Sequence, residues 1–181
     1  MLELEDDEIQ LLSKITSSLA GVSGKELGTT LYHFCSALMP SVNVDVILRD
    51  EQDRFLLSWR DDEFYGPGWH VPGGVLRHKE SLASRLVNVL NRELDIESVD
   101  LTDYSANPAQ VREVFHPDRC VRGHFLSILF DLKLSQVNPD LRQDEVISKG
   151  KIEFFRKPPE NLIKQHARLY GDYFAQNFAS E

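Results

Sequence analysis

Apolar positions along the chain follow two periods, and the switches between them divide it into elements. Leu4, Leu11, Leu12, Ile15 and Leu19 lie on one side of a helix whose first turn is acidic, which suits the positive end of the helix dipole. Ser23 and Glu26 form a capping-box pattern ahead of a second helix carrying Leu27, Leu31, Phe34, Cys35 and Leu38, and Pro40 ends it. From Val42 to Leu48 the period becomes two: the valines and Leu48 share one face, while Asn43, Asp45 and Ile47 share the other. An acid in such a place is ordinarily solvated. Arg54 to Trp59 reads as a second strand with Arg60 at its end, followed by turn residues Tyr65, Gly66, Pro67 and Gly68.

The stretch from Trp69 to Ile96 organises the rest. A helix is predicted from Lys79 to about Leu94, with Leu82, Leu86, Leu90 and Leu94 as its buried stripe and Ala83 and Val87 beside it. Ser84, Arg85, Asn88, Arg92 and Glu93 occupy the opposite side. Gly73 and Gly74 lie just ahead of it; a glycine turn feeding a helix lets backbone N–H groups approach a phosphate, because no Cβ intervenes. Downstream, Val99 to Asn107 and Gln110 to His116 read as strands, and Val121 to Leu134 as a long strand broken near Gly123. Ser135 to Gly150 is a polar loop of a length that is often functional. Ile152 to Phe155 closes the sheet. Pro158 and Pro159 then open a last helix with Leu162, Ile163, His166, Leu169, Tyr170, Tyr173 and Phe174 on its core face.

Gly74, Glu80, Leu90, Glu93 and Ile96 fit positions of G-x5-E-x7-R-E-U-x-E-E-x-G-U, where U is a bulky apolar residue. In this the stretch resembles the loop–helix motif of the Nudix hydrolases. Asn88 replaces the motif's arginine, Val89 and Arg92 replace two of its three helix glutamates, and Asp95 replaces its last glycine. Family glutamates hold divalent metals against a diphosphate, so the resemblance implies one ion at most here. The branch of GDP-mannose mannosyl hydrolases also lacks helix glutamates, and the chain is similar to it over about residues 41–157. That likeness implies Mg²⁺ ligands at Gly73, Glu93 and Gln143, and places Asp45 and Arg60 at the offsets of an aspartate and an arginine of the branch. Val75 and Asn88 stand where the branch has arginines, and Asp144 where it has a loop histidine.

The charge balance, 20 basic against 29 acidic residues, argues against a general nucleic-acid or anionic-membrane binder. Around the glycine turn the sign reverses, with Arg77, Lys79, Arg85 and Arg92 against Glu80, so a small anion is drawn there at short range. Cys35 and Cys120 suit reduced thiols, and the absence of an export signal or a long apolar run points to a cytoplasmic chain. His116, Cys120 and His124 have the chemistry of zinc ligands, but Pro117 and Gly123 keep one helix from presenting all three.

The expected fold is α/β (α+β), a mixed β-sheet layered between helices, with residues 1–40 a helical extension and 41–181 the Nudix-like domain. The extension either packs on the domain, the favoured reading, or binds a partner. The expected function is Mg²⁺-dependent hydrolysis of a nucleoside diphosphate sugar by C–O cleavage, with one ion bound. An ordinary Nudix pyrophosphatase and a non-catalytic nucleotide-binding module are the alternatives. Arg60 is expected to clamp the diphosphate, Asp45 and His124 to contact substrate, and Asp144, with Glu145 as second choice, to activate water. A nucleotide sugar is the expected partner; nucleic acid and membrane are not, and a homodimer stays open.

Overall fold

The computed structural model describes residues 4–19, 28–62, 66–96, 107–137 and 152–178. Its elements in chain order are α1 (Asp6–Leu19), α2 (Thr29–Leu38), β1 (Ser41–Arg49), β2 (Phe55–Arg60), β3 (Gly68–His70), β4 (Gly73–Val75) and α3 (Leu82–Glu93). Then follow β5 (Gln110–Phe115), β6 (His124–Lys133), α4 (Leu134–Val137), β7 (Ile152–Phe155) and α5 (Lys164–Asn177). Among the described residues one mixed sheet has the strand order β3-β2-β1-β6-β5, with β4 on β1 and β7 on β2.

β1 is the hub. It runs parallel to β6 over its whole length, from Ser41 opposite Phe125 to Arg49 opposite Lys133. It runs antiparallel to β4 through Asp45 and Gly73. Its period-two pattern divides the core into two layers. Val44, Val46 and Leu48 pack with Leu86, Val89, Leu90 and Leu94 of the α3 region, while Ile47 joins Phe55, Leu129, Tyr170 and Phe174 under α5. Each fully buried side chain of this size contributes roughly 1.5–3 kcal/mol, so both helices are fastened by packing rather than by propensity.

Several elements start elsewhere than their pattern suggests. Lys79 has φ of 56°, outside the helical region, so α3 begins only after Ser81, whose hydroxyl accepts from the Ser84 N–H at 3.0 Å. Leu82 stays exposed and Val89 takes its place in the stripe. Asp95, in the motif's glycine position, has φ of 52°, so the left-handed turn after the helix is kept with an aspartate. β6 starts at His124 because the segment before it is a tight connection, with the His116 N–H donating to the Gly123 carbonyl at 2.6 Å. Pro158 and Pro159 do not open α5; they lead into a turn closed by the Leu162 amide on the Pro159 carbonyl, and the Trp69 and Ile163 amides then bond the Asn161 and Trp69 carbonyls, so that pairing with β3 delays the helix until after Ile163.

In the N-terminal extension, α1 half-buries Leu12, Ile15 and Leu19, buries none of its residues fully and leaves Ile9 and Leu11 exposed. α2 is tied to the body through Ser36, which accepts from the Arg122 N–H at 3.3 Å. The expected strand at Val99 to Asn107 lies outside the described residues, apart from Asn107 itself, which is not in a strand. The start of the Ser135 to Gly150 loop is helical as far as Val137, and its remainder lies outside the described residues. No helix among the described residues is long and apolar enough to cross a membrane.

Candidate active site

The glycine pair is built into the sheet by register. The Val46 amide bonds the Pro72 carbonyl and the Leu76 amide bonds the Val42 carbonyl, which makes Val44 and Gly74 the hydrogen-bonded pair between them. In an antiparallel ladder such pairs alternate with pairs that exchange no hydrogen bonds and approach more closely. Gly73 opposite Asp45 is one of these. Its carbonyl therefore points away from β1, available to a ligand. A Cβ on Gly73 would overlap the Asp45 carboxylate, so no other residue fits the register. At Gly74 a Cβ would meet Arg85 Nη1 at 3.3 Å and Val89 at 3.6 Å, so helix and turn are equally close there.

Three carboxylates surround this pair. Glu80, with a side chain 3% exposed, accepts from Arg85 through both oxygens at 2.7–2.9 Å, from the Arg77 amide and from Asn88 Nδ2 at 2.7 Å. Burial alone would raise its pKa, and these hydrogen bonds together hold it below the usual value. Arg85, expected on the solvated side, is therefore buried as the partner of Glu80. Asp45, also buried, accepts from the hydroxyls of Ser127, at 2.6 Å, and Tyr170. Among the described residues no cation bonds it. Desolvation outweighs the hydroxyl bonds and raises its pKa to about 6, with a smaller push from Glu93. Glu93, a third exposed, lies 3.2 Å from His70 Nε2.

His70 Nδ1 lies 2.8 Å from the Ser58 carbonyl, which can only accept, so Nδ1 carries a hydrogen. Contact with Glu93 becomes a hydrogen bond when the ring carries a second proton. His166, on α5, has its ring centre 5.9 Å from that of His70 and accepts at Nδ1 from the Val71 amide at 2.9 Å. Asp45, His70, Gly73, Glu93 and His166 all line a cleft of about 880 Å³. Arg60, Arg112, Arg122, Lys164 and Arg168 also line it, so this region lacks the acidic excess of the whole chain and suits an anionic ligand.

The structure thus gathers Asp45, Arg60, Gly73, Glu93 and His124, named from sequence, around one cleft. Arg60 donates through Nε to Asp62 and still reaches the cleft. Asp45 is committed to Ser127 and Tyr170 rather than solvated. His124 bonds Glu113 at 3.0 Å. Gln143, Asp144 and Glu145 lie outside the described residues. His70, His166, Ser127 and Tyr170 were not singled out as site residues; a histidine on the apolar face between Ile163 and Tyr170 was the one signal available.

Gly73 and Glu93 suit a hard divalent ion. One offers a carbonyl turned away from β1, the other a partly exposed carboxylate, and Mg²⁺ takes a few protein oxygens and fills the rest with water and substrate. The other motif positions cannot add to this: Val89 is buried in the core and Arg92 is basic.

Comparison with known proteins agrees with this architecture. The family model described as the NUDIX domain matches residues 39–173. The low-salt glycan biosynthesis protein Agl8 of Haloferax volcanii is 33% identical over 130 residues, 70% of this chain and 77% of that protein. A crystal structure from Jonesia denitrificans, described as a possible asymmetric diadenosine tetraphosphate hydrolase, is similar in fold, with a TM-score of 0.56 at 17% identity over 80% of this chain and 99% of that one. With a motif built on register-fixed glycines, a sheet between two helices and a family match across three quarters of its length, the chain belongs to the Nudix family.

Proposed function

We propose that this Nudix hydrolase cleaves a nucleoside diphosphate sugar, of the GDP-mannose type, with a single Mg²⁺ bound, and that it breaks the C–O bond between sugar and diphosphate. The observation that carries the reading is the composition of α3: its one carboxylate is Glu93, and the glutamate positions before it hold a buried valine and an arginine. The Gly73 carbonyl and Glu93 would hold the ion, with Gln143 as third ligand, and when bound it would neutralise charge on the diphosphate.

Attack on phosphorus brings a nucleophile to a centre already crowded with negative charge and leans on several cations for support. Attack at the sugar's anomeric carbon asks less, because that carbon becomes positive and the nucleoside diphosphate leaves as an anion. Arg60, Lys164 and Arg168 on the cleft wall would stabilise that anion. Asp45 would hold a substrate hydroxyl or amide through whatever acceptor capacity Ser127 and Tyr170 leave it. His124 would line the substrate's path. Asp144, or Glu145, would take the proton from water, and an ordinary carboxylate is a weak enough base to make turnover slow. The name of the Haloferax relative points the same way, since glycans are built from activated sugars.

Hydrolysis in ¹⁸O-water tests the reading. Label in the released sugar is expected; label in a phosphate product would replace C–O cleavage with pyrophosphatase chemistry. Absence of turnover across a panel of nucleotide sugars, with binding retained, would leave a non-catalytic module.

A further inference from the structure

His166 stands outside the loop–helix motif, on the helix that covers the opposite face of the sheet. The Val71 amide can only donate, so Nδ1 of His166 carries no hydrogen, and in the neutral ring Nε2 must carry it. A second proton would have to sit on Nδ1, facing that N–H. Burial, together with the charges of His70 and Arg60, keeps the ring neutral, with a pKa pushed down to about 3. Its Nε2 has no hydrogen-bond partner among the described residues and opens to the cleft.

Its polar neighbours are already committed. His70 bonds Ser58 and faces Glu93, while Tyr170, whose ring meets that of His166 edge-on at 5.4 Å, donates its hydroxyl to Asp45. His166 is left with one fixed donor, open to the cleft beside the His70–Glu93 pair. The strongest acceptor that a ligand could bring there is an anionic oxygen, and a donor to such an oxygen is about twice as strong as one between neutral groups. We infer that His166 is a neutral hydrogen-bond donor to a diphosphate oxygen of the substrate, a binding residue contributed by α5. The inference rests on the nucleoside diphosphate reading above. Unlike a lysine or arginine, this donor adds no charge to the cleft, and unlike an ordinary histidine it keeps the same form throughout the neutral range.

Two substitutions separate this role from a structural one. In His166→Asn the side-chain oxygen takes the place of Nδ1 and still accepts from Val71, but nothing replaces the Nε2 donor. In His166→Gln the side-chain amide nitrogen reaches the Nε2 position, and the acceptor for Val71 is lost. Turnover efficiency on a nucleotide sugar, and the affinity for GDP and ADP with Mg²⁺ by calorimetry, should fall about ten- to a hundredfold in the Asn variant. The Gln variant should recover most of that loss. The reverse order, or equal loss in both, would show that the ring serves Val71 and overturn the inference. In the unsubstituted protein, the ¹⁵N resonance of His166 Nε2 should shift on adding GDP with Mg²⁺ while Nδ1 stays at its acceptor value; no shift at Nε2 despite binding would overturn it independently of any variant. If the unsubstituted protein binds neither nucleoside diphosphate, the substrate reading fails and takes this inference with it. Binding that His166→Asn leaves unchanged removes the inference alone.

Discussion

Two buried carboxylates serve the glycine pair, Asp45 directly against Gly73 and Glu80 through Arg85, which lies against Gly74, and the two are held in opposite ways. Glu80 meets a guanidinium fork, an amide and a side-chain amide, and its pKa is lowered. Asp45, beside Gly73, meets two hydroxyls among the described residues, and its pKa is raised to about 6. The first is a clasp that fixes the start of α3. The second holds a charge that neutral donors compensate incompletely, on the wall of the cleft. Burial by itself therefore says little about what a carboxylate does; its partners decide whether the charged form is favoured.

Removing a clasp partner should have the largest effect. Arg85→Ala leaves Glu80 buried without its cation, which typically costs about 3–5 kcal/mol, and denaturant unfolding should show it. At Asp45 the sign reverses. The folded protein binds this proton more tightly than the unfolded chain, so the carboxyl contributes most below about pH 4, and that contribution is lost as pH rises through about 6. In metal-free buffer Asp45→Asn should therefore raise stability near pH 8 by up to about 3 kcal/mol, and the gain should vanish near pH 4. A gain independent of pH would mean that packing, not ionisation, is responsible. Glu93, between the two, should matter for turnover instead: Glu93→Gln is expected to cost about ten- to a hundredfold in kcat/KM with little change in melting temperature. Arg60→Ala should cost at least about tenfold in kcat/KM, unless its bond to Asp62 is its whole role. Smallest, Ser127→Ala removes one of the two donors to Asp45 and should cost about 1 kcal/mol, less in acid than at neutral pH.

Periodicity made most of the fold legible, because both cores follow directly from side chains alternating on β1 and recurring along α3. It failed where a long-range partner overrides a local preference. Arg85 looks solvated in the helical pattern and is buried by its pairing with Glu80. Pro158 and Pro159 look like a helix start, yet a turn at Pro159–Leu162 and the backbone bonds to Trp69 delay the helix until after Ile163. The loop–helix motif pointed to Gly73 and Glu93. His166 is 95 residues from the amide that fixes its tautomer, and no spacing within the motif refers to it.

The sequence distances within the Asp45 cluster also constrain how the chain folds. Asp45 reaches its register with Gly73 by closing a modest loop, but Ser127 lies 82 residues further on and Tyr170 lies 125. Loop-closure entropy makes such contacts costly until the parallel pairing of β1 with β6 is in place, so folding is expected on the slow side for a chain of this size. The loop–helix segment and its Glu80 clasp are assembled from neighbours within a few residues and can form early. The far wall of the cleft, with Tyr170 and His166, closes last, so a nascent chain would carry its glycine strand and helix before it has anything to enclose a ligand.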